Sequence, residues 1–221
     1  MLARSLPNLL GIFRIVTTPL LVWLILLNTA AGYYSAVVLL LVMAISDIAD
    51  GPLARRMGVV SPLGVFLDTI SDKIFVAGAL IPMVEAGLIS GWIALLIIVR
   101  DFAVSGLRSF AAAEGEVISA RQYGKQKLVI TVTALVWFLL AAAFNGPDAV
   151  AFRAATAYAG LAAVISWLFS LWPVPMFLTI VWTAFSGAEY FWKAWPLLSG
   201  KLAPEARPPA PVAPPRKPAS K

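Results

Sequence analysis

Six long apolar segments constrain this chain more than any other feature: residues 9–27, 33–48, 62–84, 92–112, 128–144 and 175–195. A helix needs about 20 apolar residues to cross the hydrocarbon core of a bilayer. Inside lipid, only helices and closed barrels satisfy their own backbone polar groups. No alternating strand pattern or internal repeat is present, so the spacing predicts an all-α, polytopic integral membrane protein with a six-transmembrane-helix core. Charged residues make up 13% of the 221, about half the usual share in soluble domains.

The distribution of Lys and Arg sets the expected orientation. With the N-terminus cytoplasmic, Arg4, Arg55, Arg56, Arg121, Lys125 and Lys127 all fall on the cytoplasmic side, and the turns near 28–32 and 85–91 carry no Lys or Arg. A further apolar stretch, 149–171, is read as an interfacial or re-entrant helix. A seventh crossing would put the basic C-terminus outside. The first segment follows Arg4 as a secretory leader would, but five further apolar segments favour a retained span. Residues 1–199 are thus expected to form one membrane domain with both ends at the cytoplasmic face of the cell membrane. Residues 200–221 hold +4 of the net +6 charge, and seven prolines lie in 201–221. That composition predicts a disordered, basic cytoplasmic tail. Its charge fits an anionic lipid surface better than nucleic acid, and no nucleic-acid partner is expected.

Cysteine and histidine are both absent. Their absence excludes disulfides, thiolate nucleophiles, His general bases and Cys/His zinc sites. A metal here would need oxygen ligands, which favours Mg²⁺, Mn²⁺ or Ca²⁺.

Carboxylates at membrane depth are costly and mark functional sites by default. Four of the eleven acids, Asp47, Asp50, Asp68 and Asp72, lie within 26 residues. Asp47 and Asp50 are spaced i, i+3, and Asp68 and Asp72 i, i+4, so each pair shares one helix face. Gly51-Pro52 is expected to weaken the second helix, and Ser61-Pro62 reads as N-cap and first residue of the third. Asp68 and Asp72 then lie about 9 and 15 Å along that helix. Such a cluster needs compensating cations. Lys73 and Arg55 are nearby in sequence, and two divalent ions would complete the balance as a clamp for phosphoryl transfer.

The segment from Asp47 to Asp72 fits D-x2-D-G-x2-A-R-x8-G-x3-D-x3-D without a gap. It resembles the signature of the CDP-alcohol phosphatidyltransferases, integral membrane enzymes with a six-helix core that usually form homodimers. The resemblance implies that Asp47, Asp50, Asp68 and Asp72 ligate two metal ions, Mg²⁺ or Mn²⁺. It also implies a catalytic-base role for Asp72, and CDP binding at Asp50, Gly51, Ala54, Arg55 and Gly64.

A second level of similarity covers more of the chain. Residues 6–14 (LPNLLGIFR) resemble the P-N-x-L-T-x-x-R opening of the phosphatidylglycerophosphate synthases, a branch of that family, with Gly11 for the threonine. Residues 100–108 resemble its R-E-x5-L-R stretch with Asp101 for glutamate, 124–127 its G-K-x-K segment, and 186–191 its final-helix ending. The implied substrates are CDP-diacylglycerol and sn-glycerol 3-phosphate, among membrane lipids. Arg100, Arg108, Lys125 and Lys127 are the candidate ligands for the acceptor phosphate, since guanidinium forks suit phosphate. An Arg100–Asp101 ion pair and positive-inside anchoring by the lysines are the structural alternatives. Two functional alternatives also stand at this point: a sister enzyme with another acceptor (inositol phosphate, serine or a phosphatidyl lipid), and a divalent-cation channel or transporter.

Overall fold

The computed structural model describes residues 2–58, 62–114, 123–145, 159–171 and 173–199. These residues form seven helices and no strand: α1 (Leu2–Leu26), α2 (Ala30–Arg56), α3 (Pro62–Glu85), α4 (Gly91–Ala113), α5 (Tyr123–Asn145), α6 (Ala159–Ser170) and α7 (Pro173–Leu198). The all-α expectation holds. Among the described residues, four stretches are long and apolar enough to cross a membrane: Asn8–Leu26, Ala30–Leu53, Leu128–Asn145 and Val164–Trp192. In α3 the charges Asp68, Asp72 and Lys73 interrupt the apolar run, and in α4 Arg100, Asp101 and Arg108 do so. These charges lower the apolar character of α3 and α4, which are not among the four stretches.

Local chemistry fixes the turns. At the end of α3, Gly87 adopts φ +70°. The Leu88 N–H reaches the Met83 carbonyl at 2.8 Å and the Gly87 N–H reaches Val84 at 3.0 Å, the paired bonds of a Schellman stop. Ser90 then caps α4 by accepting from the Trp92 N–H. Between α1 and α2, Thr29 Oγ1 accepts the Gly32 N–H at 3.1 Å, and Tyr33 donates its hydroxyl to Asn28 Oδ1 at 2.5 Å. Pro62 opens α3, as expected. Pro52, expected to weaken α2, lies inside it, and the helix runs on to Arg56. Proline removes the bond to the carbonyl four residues back, here Ile48, and crowds that carbonyl with its ring, a disturbance confined to the last turns of α2.

Six helices close a ring in the order α1, α3, α4, α7, α5, α2, each packed on its neighbours, with α6 against α5. α1 packs on both α2 and α3, which meet each other far less. The α1–α3 approach is very close, because a Cβ on Gly78 would lie 2.2 Å from Thr18 Cγ2. Leu21, Ile25, Leu40, Met43, Phe75, Leu80, Met83, Leu135 and Leu139 fill the core. The outer surface carries exposed Val16, Trp23, Val38, Ile45, Phe66, Phe102 and Phe177, a surface suited to lipid. α6, about 18 Å long at 1.5 Å per residue, is too short to cross alone. The rest of the predicted 149–171 helix, and the 200–221 tail, lie outside the described residues.

Candidate active site

α1 contributes a buried face in helical register: Gly11, Arg14, Thr18, Leu21 and Ile25. A fully buried arginine on such a face requires anionic partners, and three are present. Arg14 Nη2 donates to Asp50 Oδ2 at 2.5 Å and to Asp68 Oδ1 at 3.3 Å. Its Nη1 pairs with Asp47 Oδ1. Thr18 donates to the Arg14 carbonyl at 2.7 Å, which keeps its hydroxyl satisfied within the helix.

Carboxylate oxygens of Asp47, Asp50 and Asp68 lie within 4.8 Å of one another, close enough to share a cation. This is a set of hard oxygen donors, which fits a divalent ion such as Mg²⁺ or Mn²⁺. Exposure rises across the trio, from 9% for the Asp50 side chain and 13% for Asp47 to 56% for Asp68. The cluster therefore has a buried floor and one open side. Asp72, a turn further along α3, stands outside the 4.8 Å group and lines the cavity next to it.

Two cavities meet here. The larger, about 500 Å³, is lined by Asp47, Asp50, Gly51, Asp68 and Asp72, with Ser105 and Arg108 opposite. The smaller, about 120 Å³, is lined by Arg100, Asp101, Arg108, Thr131 and Tyr190. Asp72, Lys73, Ser105, Arg108 and Leu128 border both. One cavity is thus carboxylate-rich and suited to a cation. The other presents guanidinium groups and suits an anion, with a single carboxylate, Asp72, on their common wall.

Arg100 is largely buried, its Nη2 donating to Ser186 Oγ at 2.7 Å and its Nη1 to Asp101 Oδ1 at 3.2 Å. The Asp101 ion pair therefore exists and coexists with a place on the cavity wall. Gly187 lets α7 come close, since a Cβ there would lie 3.2 Å from Arg100 Cγ. Gly64 belongs to the first turn of α3. Ala54 and Arg55 lie in α2, Lys125 and Lys127 in the first turns of α5, and their side chains fall outside the described residues. Lys73, expected to balance the carboxylates, instead donates to the Thr69 carbonyl at 2.9 Å and sits 5.9 Å from the Phe102 ring centroid. The compensating cation among the described residues is Arg14, on the helix wedged between α2 and α3.

A family model for CDP-alcohol phosphatidyltransferases matches residues 4–185. This chain belongs to the CDP-alcohol phosphatidyltransferase family. Membership makes it an enzyme and removes the channel alternative; with the apolar helices, it makes the chain a membrane protein. Curated relatives include a CDP-diacylglycerol–glycerol-3-phosphate 3-phosphatidyltransferase of Bacillus subtilis, 33% identical over 88% of this chain and 97% of that protein. Proteins of the same name from Rickettsia typhi and Escherichia coli K12 are 30% and 32% identical. They match 65% and 61% of this chain, and 80% and 76% of their own lengths.

Three contributors escaped the sequence reading. Arg14 was visible as a motif position, and a lone charge inside an apolar span was the signal for its role. Ser186 was quoted only as part of a helix ending. Thr131 gave no signal at all, because a threonine in an apolar helix is ordinary.

Proposed function

We propose that the enzyme transfers the phosphatidyl group of CDP-diacylglycerol to sn-glycerol 3-phosphate, giving phosphatidylglycerophosphate and CMP. The observation that carries this reading is the common wall: Asp72 borders both the carboxylate cavity and the guanidinium cavity. A two-substrate transfer needs its donor and acceptor sites to meet at the group that takes the proton. The names of the relatives from three bacteria support the same substrates.

Asp47, Asp50, Asp68 and Asp72 would hold two divalent ions, Mg²⁺ or Mn²⁺. When bound, these supply charge neutralisation of the diphosphate, polarisation of the phosphorus and stabilisation of departing CMP. Gly51, Ala54, Arg55 and Gly64, with Asp50, border the CDP moiety. Arg100, Arg108, Lys125 and Lys127 hold the acceptor phosphate, so that its free hydroxyl faces Asp72. Asp72 accepts the hydroxyl proton as the oxygen attacks the lipid-bearing phosphorus. The new P–O bond forms as the bond to the CMP oxygen breaks. With no Cys or His in the chain, direct displacement is the simplest course. The basic residues favour cytoplasmic termini, and the family resemblance a homodimer.

The test offers purified enzyme CDP-diacylglycerol with glycerol 3-phosphate, inositol phosphate and serine in competition. Glycerol 3-phosphate is expected to drive CMP release. Equal release with another acceptor, or without any, overturns the assignment.

A further inference from the structure

The guanidinium cavity holds more polar capacity than its own residues use. Thr131 is 1% exposed, and its Oγ1 has no hydrogen-bond partner. Arg100, which lines the same cavity, also has a buried and unpartnered Nε. A buried hydroxyl without a partner costs about 1–3 kcal/mol, so such groups are normally satisfied. Threonine in a helix commonly bonds a carbonyl in the turn behind it. Thr18, Thr17 and Thr179 do so here, whereas Thr131 does not. The cavity bordering Thr131 is about 120 Å³, roughly an order of magnitude more than one water needs and far too small for a lipid tail.

The polar groups around this cavity divide by charge. Lys73, Arg100 and Arg108 are donors for an anion, and Asp72 and Asp101 accept. Ser105, Thr131 and Tyr190 add neutral hydroxyls that both donate and accept, the match for an alcohol rather than a phosphate. Of these three, Thr131 is the one whose hydroxyl is buried without a partner. We infer that Thr131 is a specificity-determining residue for the acceptor, its hydroxyl pairing with the non-reacting hydroxyl of a small polyol phosphate. This deepens the function proposed above and rests on it. Arg100, held by Ser186 and Asp101, leaves Nε to face the phosphate. A site that hydrogen-bonds a substrate hydroxyl discriminates against an analogue lacking it, because the buried partner is then left unpaired.

The test compares sn-glycerol 3-phosphate with 3-hydroxypropyl phosphate, which lacks the middle hydroxyl, in the full-length enzyme with its metal and CDP-diacylglycerol. Wild type is expected to prefer glycerol 3-phosphate. Thr131→Val is expected to lower kcat/KM for glycerol 3-phosphate about tenfold, to leave the deoxy analogue within twofold, and so to abolish the preference. Thr131→Ser should keep the preference, and Thr131→Ala should lose it if the valine variant does not fold. Equal losses on both acceptors would mark a packing or phosphate role, and unchanged preference would mark none; either overturns the inference. A wild type that releases CMP without glycerol 3-phosphate defeats the proposed function itself, a result legible before any variant is made.

Discussion

Arg14 Nη2 lies 2.5 Å from Asp50 Oδ2, so a charge from the first helix reaches the motif of the second in the buried floor of the site. The same guanidinium also pairs with Asp47 and Asp68. It lies where three carboxylates would otherwise repel one another, and α1 is held between α2 and α3 partly by this charge.

Removing that charge should destabilise the metal-free protein. Breaking a buried ion pair by deleting one partner costs about 3–5 kcal/mol. Arg14→Gln is expected to melt well below wild type in chelator and to gain more from added Mg²⁺ than wild type does. Thermal melts with and without metal measure both quantities. Equal metal-induced shifts would show that Arg14 and the metal do not act on the same carboxylates.

Asp72 is assigned the proton rather than the floor of the cluster, since it stands outside the 4.8 Å group. Asp72→Asn should lower kcat by about 10²–10⁴, the usual range for a general base. Binding of CDP-diacylglycerol, followed by calorimetry, should fall much less. Full turnover in this variant would remove Asp72 from the base role.

Ser186 orients Arg100 from the last helix. Ser186→Ala removes one bond to a charged group, worth about 1.5–3 kcal/mol. The expected effect is a raised KM for glycerol 3-phosphate with kcat nearly unchanged. Steady-state kinetics would contradict this if kcat fell instead.

Gly78 lets α1 and α3 close upon Thr18. Gly78→Ala is expected to destabilise by about 1–3 kcal/mol through overpacking. Thr18→Ser deletes the clashing methyl yet keeps the hydroxyl that reaches the Arg14 carbonyl. The double variant should therefore regain much of the lost stability in denaturation experiments. Additive losses would show that the Thr18 methyl is not the obstacle.

Much of this architecture was legible residue by residue. Apolar runs delimited the main helices, Pro62 marked the start of α3, and the i, i+3 and i, i+4 spacings announced the carboxylate faces. The ring order was not legible, because hydropathy says which residues face inward but not which helix is the neighbour. Lys73 misled for the same reason. It is adjacent to Asp72 in sequence, yet its ammonium turns back to its own helix at Thr69. Arg14 is 36 residues from Asp50, and only the wedging of α1 between α2 and α3 brings them together.

The most direct test of the whole account follows the acceptor itself. Purified enzyme with Mg²⁺ and CDP-diacylglycerol is given isotopically labelled sn-glycerol 3-phosphate, and lipid and nucleotide products are measured together by mass spectrometry. The account predicts labelled phosphatidylglycerophosphate and CMP in equal amounts, with neither formed in chelator. CMP without labelled lipid, or label in a lipid bearing another headgroup, would contradict it.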